Sequence, residues 1–128
     1  MNLFFYGTLL DPTVLEAKTG RCFARFRLIP ASLDGYRRVR ISKKPYPMLV
    51  AVPGEQVEGL LMRNVDGATR ARLTRYEGSL YGLYRVVVSV KGKRVPAMLF
   101  NARPTVRPSG VIWMPLSGRS PRSGRYRP

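Results

Sequence analysis

A chain of 128 residues with 45% hydrophobic content fits one globular domain around one core. It contains no His and a single cysteine, Cys22, which excludes Ser-His and Cys-His catalysis, an intramolecular disulfide and a thiolate metal cluster, and removes the commonest metal ligand. The formal charge is +16, and all seven acids (Asp11, Glu16, Asp34, Glu55, Glu58, Asp66, Glu77) lie in the first 77 residues, a balance that keeps phosphate or nucleic-acid contact open.

The opening stretch MNLFFYGTLL has neither a basic leader nor a small-residue cleavage site. No apolar run approaches the roughly 18 residues that span a bilayer, so the expectation is a cytoplasmic protein without membrane contact. Residues 2 to 6 read as a short apolar strand ending at Gly7. Asp11 followed by Pro12 then signals a helix start, with Asp as N-cap, Pro at the first helical position and an end by Gly20. From Cys22 to Ile41 apolar and basic residues alternate and are broken at Pro30 and at Asp34 and Gly35, a pattern of two strands joined by a bend. Met48 to Val52 reads as a strand closed by a turn at Pro53 and Gly54. Residues 58 to 62 continue as its antiparallel partner.

Asp66 caps a second predicted helix over Ala68 to Tyr76, which Gly78 ends. The β-branched run Tyr84 to Val90 and the run Val95 to Phe100, joined by Lys91, Gly92 and Lys93, predict a hairpin. Beyond Ala102 the composition turns to Pro, Ser, Gly and Arg, interrupted by the apolar stretch around Trp113. The expected organisation is one domain over residues 1–116, with mostly strand, and a basic, flexible tail over 117–128.

Without His, acid-base chemistry near neutral pH falls to a carboxylate, a Lys or a Tyr. Six of the acids have structural explanations: Asp11 and Asp66 as caps, Asp34 in a turn, Glu16 on a helix face, and Glu55 and Glu58 beside a hairpin. Glu77 stands between Tyr76 and Gly78 at a helix end, where the macrodipole disfavours a carboxylate, and is followed by Tyr81 and Tyr84. Such surroundings raise a carboxyl pKa toward the range useful for proton transfer. The competing explanation is a solvated helix-end Glu paired with Arg75 or Arg85. A second element is the strand running into Tyr6, Gly7, Thr8 and Leu9, because a Gly-containing loop ahead of a helix exposes backbone N–H groups that bind carboxylates or oxyanions. An ordinary β-turn is the alternative there.

Taken together, FFYGTLL at the N-terminus, PYPMLV at 45–50, VEGLLMRNV at 57–65 and LTRYEGSLYGLYRVVVSV at 73–90 resemble the gamma-glutamylcyclotransferase-like superfamily, in its branch of gamma-glutamylamine cyclotransferases and avirulence-induced proteins. The resemblance covers residues 1 to about 101 and rests on the combination of the YGTL loop with YEG and a following Tyr-Arg. It implies an α+β fold, a small mixed-strand β-barrel with a few short helices, whose cavity opens beside the YGTL loop. It also implies a metal-independent transferase or lyase without cofactor, acting on a small γ-glutamyl substrate and releasing 5-oxoproline. Glu77 matches the general acid/base, the backbone of Tyr6, Gly7, Thr8 and Leu9 the binding site for the substrate α-carboxylate, and Tyr84 an aromatic lining the site. Tyr46, Pro47 and Met48 fall on the loop facing the substrate. Thr74 stands where the family usually has an Asp.

Two other functions stay open: a catalytically silent member that binds a γ-glutamyl or amino-acid ligand, and a basic nucleic-acid-binding barrel. Nucleic-acid contact is expected only as non-specific binding through the tail. Arg85, next to Tyr84, points to the opposite strand face as a structural ion-pair partner. Cys22 reads as a small hydrophobe and Trp113 as packing or a cover for the cavity mouth.

Overall fold

The structure, a computed structural model, describes residues 1–20 and 28–113. Cys22 and the tail at 117–128 lie outside the described residues. The elements in chain order are β1 (Leu3–Phe5), a 3-10 turn (Thr8–Leu10), α1 (Pro12–Thr19), β2 (Leu28–Ile41), β3 (Pro47–Met62), α2 (Gly67–Glu77), β4 (Tyr81–Val90), β5 (Lys93–Ala102) and β6 (Pro108–Ile112).

Both helices begin and end where their caps require. The Asp11 carboxylate accepts the Thr13 N–H at 2.9 Å with Pro12 in the first turn, and Gly20 ends α1 in the left-handed region at φ 72°. Asp66 accepts the Thr69 N–H at 2.7 Å to open α2, and Gly78 closes it by donating to the Thr74 carbonyl at 3.2 Å. Lys91 and Gly92, with φ of 51° and 79°, make the two-residue turn between β4 and β5, both central residues being left-handed as the tightest hairpin turns demand.

Five strands close into a ring in the order β3, β1, β5, β4, β2 and back to β3, with β6 added on the outer side of β2. β1 and β5 run parallel and the other pairs antiparallel, so the expected mixed-strand barrel with a few short helices is what forms. The ring explains the uninterrupted apolar run at the N-terminus. Phe4 points into the barrel with Leu33, Leu49, Leu61 and Leu99, whereas Leu3 and Phe5 point outward under the helices with Leu10, Leu15, Leu73 and Phe100. A strand buried on both faces loses the polar half of its alternation. β1 also lies very close to β3: a Cβ on Gly59 would stand 2.2 Å from the Phe5 carbonyl oxygen.

The strand break in the second segment and the hairpin turn at Pro53 and Gly54 are corrected. Neither Pro30 nor Asp34–Gly35 divides the second segment, and Pro53–Gly54 does not close a hairpin. β2 and β3 are each continuous and pair with one another from Leu28↔Met62 to Arg40↔Pro47. Pro30 keeps regular register opposite Leu60, and the other breakers are absorbed in one irregularity, where Asp34 faces Gln56 but Tyr36 already faces Ala51. Gly35 and Gly54, with φ of 85° and 88°, let the ribbon bend there instead of ending, and an Arg37–Glu55 ion pair spans it. β6 was not anticipated, since Pro108, Ser109 and Gly110 are poor strand formers and all five of its residues are exposed. It exists through pairing to β2, with Val39 opposite Ile112 and Ile41 opposite Pro108. Among the described residues no helix is long and apolar enough to cross a membrane.

Candidate functional site

A cavity of about 380 Å³ opens where β1 leaves the barrel, between the Thr8–Leu10 turn, the C-terminal end of α2 and the start of β3. That volume suits a small ligand. Its first wall is the loop after β1. Tyr6 is buried, and its hydroxyl donates to the Phe100 carbonyl at 2.6 Å. Gly7 is favoured by both conformation and space: its ψ of −138° falls outside the β and helical regions, and an added Cβ would stand 2.9 Å from Cγ of Pro47. In the turn that follows, the Leu10 N–H donates to the Gly7 carbonyl and the Asp11 N–H to the Thr8 carbonyl. The amides of Thr8 and Leu9 therefore begin the turn without an acceptor inside it. A Thr8–Tyr76 hydroxyl pair at 3.0 Å ties this loop to α2.

The opposite wall comes from β3 and β4. The Tyr81 hydroxyl donates to the Pro47 carbonyl at 2.6 Å, fixing the segment that carries Tyr46 and Pro47 to the start of β4. Behind that segment the Trp113 indole N–H donates to the Pro45 carbonyl at 2.9 Å. Trp113 packs behind the wall and does not line the cavity.

Glu77, the last residue of α2, lines the cavity between Tyr76 and Leu80. Burial pushes its carboxyl up to about 7. No hydrogen bond or ion pair to it occurs among the described residues, so the salt bridge to Arg75 or Arg85 that the sequence left open is absent. Arg85 instead lies on the outer surface beside Met1 and Asn2. The phenols of Tyr6 and Tyr81 are both pushed up, first by burial and further by the nearby Glu77 charge, so both stay neutral hydrogen-bond donors. Thr74 is exposed, its hydroxyl donating to the Arg70 carbonyl at 2.8 Å, and it takes no part in the cavity wall.

Of the residues singled out in the sequence, Tyr6, Gly7, Thr8, Leu9, Tyr46, Pro47 and Glu77 line this one cavity. Met48 and Tyr84 do not. Met48 follows Pro47 on a strand, so its side chain takes the other face and is buried with Val39, Ile41 and Ala102. Tyr84 is three residues from Tyr81, an odd spacing that puts the two rings on opposite faces of β4, and it is 38% exposed. Tyr81 is the β4 aromatic of the cavity, joined by Tyr76, Leu80, Phe4, Phe5 and Phe100, which the sequence did not single out. The adjacency of Tyr76 and Tyr81 to Glu77 was a usable signal; nothing local marks Phe100.

The family described as "Gamma-glutamyl cyclotransferase, AIG2-like" matches residues 3–119. The chain is similar to Protein AIG2 C of Arabidopsis thaliana, 33% identical over 89 residues that make up 70% of this chain and 51% of that relative. It thus spans about half the length of the curated relatives it matches. Among solved structures, an Arabidopsis thaliana protein determined in solution superimposes with a TM-score of 0.68 at 27% identity, covering 79% of this chain and 61% of that one. A gamma-glutamyl cyclotransferase superimposes with a TM-score of 0.61 at 15% identity, covering 85% and 71%, a likeness of fold.

Proposed function

The chain belongs to the gamma-glutamyl cyclotransferase, AIG2-like family, and from that premise we propose that it converts a γ-glutamyl amino acid or γ-glutamylamine into 5-oxoproline and a free amine, with Glu77 as general acid and base. The observation that carries this is the Glu77 carboxyl, without a hydrogen-bond or ion-pair partner among the described residues and pushed by burial up to about 7, on the wall of a small cavity that residues 6 to 9 also line. A buried carboxyl at a helix end with no partner among the described residues costs stability once ionised, whereas a group titrating near 7 is matched to proton transfer.

In the proposed reaction the substrate α-carboxylate lies against the backbone amides of the Tyr6–Leu9 loop. Glu77 takes a proton from the α-ammonium, and the freed amine attacks the substrate's own side-chain carbonyl. A new C–N bond closes the five-membered ring and the bond to the leaving nitrogen breaks as Glu77 returns a proton there. The α-nitrogen loses two protons in becoming an amide and the leaving nitrogen gains two in departing as an ammonium, so the reaction is an isomer-balanced exchange without water or oxidant. Because nucleophile and electrophile share one molecule, holding the reactive rotamer supplies much of the acceleration. Tyr6 and Tyr81, kept neutral by burial, commit their single O–H groups to the Phe100 and Pro47 carbonyls and so fix the cavity wall around Glu77.

The test is 5-oxoproline release from a panel of γ-glutamyl amino acids, γ-glutamylamines and γ-glutamyl-ε-lysine by wild type, Glu77→Gln and Glu77→Ala. Loss of one acid/base group lowers turnover by about 10²–10⁴-fold. Equal turnover by the three proteins sinks the proposal, and tight binding of a γ-glutamyl compound without turnover would make the protein a ligand binder.

A further inference from the structure

The pairing of β1 with β3 ends at Phe5↔Leu60. Just past that point Arg38 of β2 bridges the two segments. Its guanidinium donates from Nη1 to the Tyr6 carbonyl at 2.8 Å and to the Glu58 carbonyl at 3.5 Å. The group is held from behind: it stacks over the Trp113 ring at 5.7 Å, and the Trp113 backbone N–H donates to the Arg38 carbonyl at 3.1 Å.

Tyr6 and Gly7 line the cavity and Arg38 does not. The peptide joining Tyr6 to Gly7 is trans, like every other among the described residues, so its N–H points opposite to its C=O. With the carbonyl bound to Arg38, the Gly7 N–H is turned away from the guanidinium. A cation on a peptide oxygen also withdraws electron density through the amide and strengthens its N–H as a donor.

We propose that Arg38 is a positioning residue for substrate binding, holding and polarising the Tyr6–Gly7 peptide so that the Gly7 N–H receives the substrate α-carboxylate. This rests on the reaction proposed above. The carboxylate is present unchanged in substrate and transition state, so the contribution is to binding in both and appears in KM, with kcat preserved.

The experiment compares wild type, Arg38→Gln, which keeps an N–H donor without the charge, and Arg38→Lys, which keeps the charge. Steady-state kinetics run on whichever γ-glutamyl substrate wild type turns over, and the Gly7 amide is followed by NMR as 5-oxoproline is added. Arg38→Gln is expected to raise KM about tenfold, with kcat within about twofold and the midpoint of the pH profile unmoved, while Arg38→Lys stays within about threefold of the wild-type KM. The Gly7 amide shift on adding 5-oxoproline shrinks in Arg38→Gln and returns in Arg38→Lys. An unchanged KM in Arg38→Gln, an Arg38→Lys as impaired as Arg38→Gln, or a fall in kcat with a moved pH midpoint overturns the assignment while leaving the reaction standing. A wild type that releases 5-oxoproline from no substrate overturns both.

Discussion

Glu77 ties pH to stability in a direction opposite to that of most carboxylates. A Glu in an unfolded chain titrates near ~4.3, and burial in the cavity wall raises this one to about 7. Between those values the folded protein holds a proton that the unfolded chain has released. The stability contributed by the protonated carboxyl is therefore full below the unfolded value and lost as pH rises through the folded one. Thermal unfolding of wild type should fall between about pH 5 and 8, and Glu77→Gln should remove that slope and exceed wild type at pH 8 by on the order of 2 kcal/mol. Parallel melting-temperature profiles would show that the site is wetter than its geometry indicates. Activity as a base runs the other way, rising as Glu77 ionises, so stability and turnover trade against each other at one atom pair. Gly7 makes a separate prediction at the same scale. Its φ of −123° is open to Ala but its ψ of −138° lies outside the β and helical regions, and the Pro47 ring, itself anchored through Tyr81, stands 2.9 Å from the added Cβ. Gly7→Ala should destabilise by about 1–3 kcal/mol and raise KM, and a second substitution, Pro47→Ala, should restore the part of both that comes from the Pro47 contact. Failure of that rescue in a double-mutant cycle would move the cause from packing to the backbone.

Helix α2 places Glu77, and its N-terminus depends on Asp66, whose carboxylate takes the Thr69 N–H. Asp66→Ala should lower stability by about 1 kcal/mol with little change in the pH midpoint, because the last turn is held separately by Leu73 and the Thr8–Tyr76 hydroxyl pair. Comparable stability for the two proteins by denaturant titration would contradict the capping role. Elements of this kind were legible in the sequence because their determinants are local: an Asp-Pro start, a Gly stop, a Lys-Gly turn between β-branched runs. The β2–β3 ribbon was not, since Pro30, Gly35, Pro53 and Gly54 are locally strand breakers, yet Pro30 is held in register opposite Leu60 and the alignment of the other three across two strands turns them into one bend. β6 was invisible for the same reason, its residues drawing strand geometry from β2 alone. The site divides likewise. The YGTL loop and Glu77 stand out as short segments, but the choice of Tyr81 over Tyr84, and of Pro47 over Met48, needed the strand register that decides which face each residue takes.

At the scale of the molecule the barrel interior and the layer under the helices are distinct apolar clusters, and they should differ in what they do for the site. Leu73 is fully buried one turn before Glu77, packed with Leu10, Leu15 and Phe100. Val88 is equally buried inside the barrel, but lies seven residues along β4 from Tyr81, a distance of about 23 Å at the usual strand rise. Leu73→Ala is expected to cost about 2–5 kcal/mol, and Val88→Ala somewhat less by its smaller lost volume. Their consequences for Glu77 should separate. The cavity left by Leu73 lies under the helix that holds Glu77 against the barrel, so loosening it admits water to the carboxyl and weakens the burial that raises its pKa. In Leu73→Ala the Glu77 carboxyl, followed by carbon-detected NMR titration, should move down toward the ordinary Glu range and activity should drop with it. In Val88→Ala the same titration should stay near the wild-type midpoint although the protein melts earlier. A shift of equal size in both variants would mean that Glu77 senses the stability of the whole barrel, not the packing of α2 upon it.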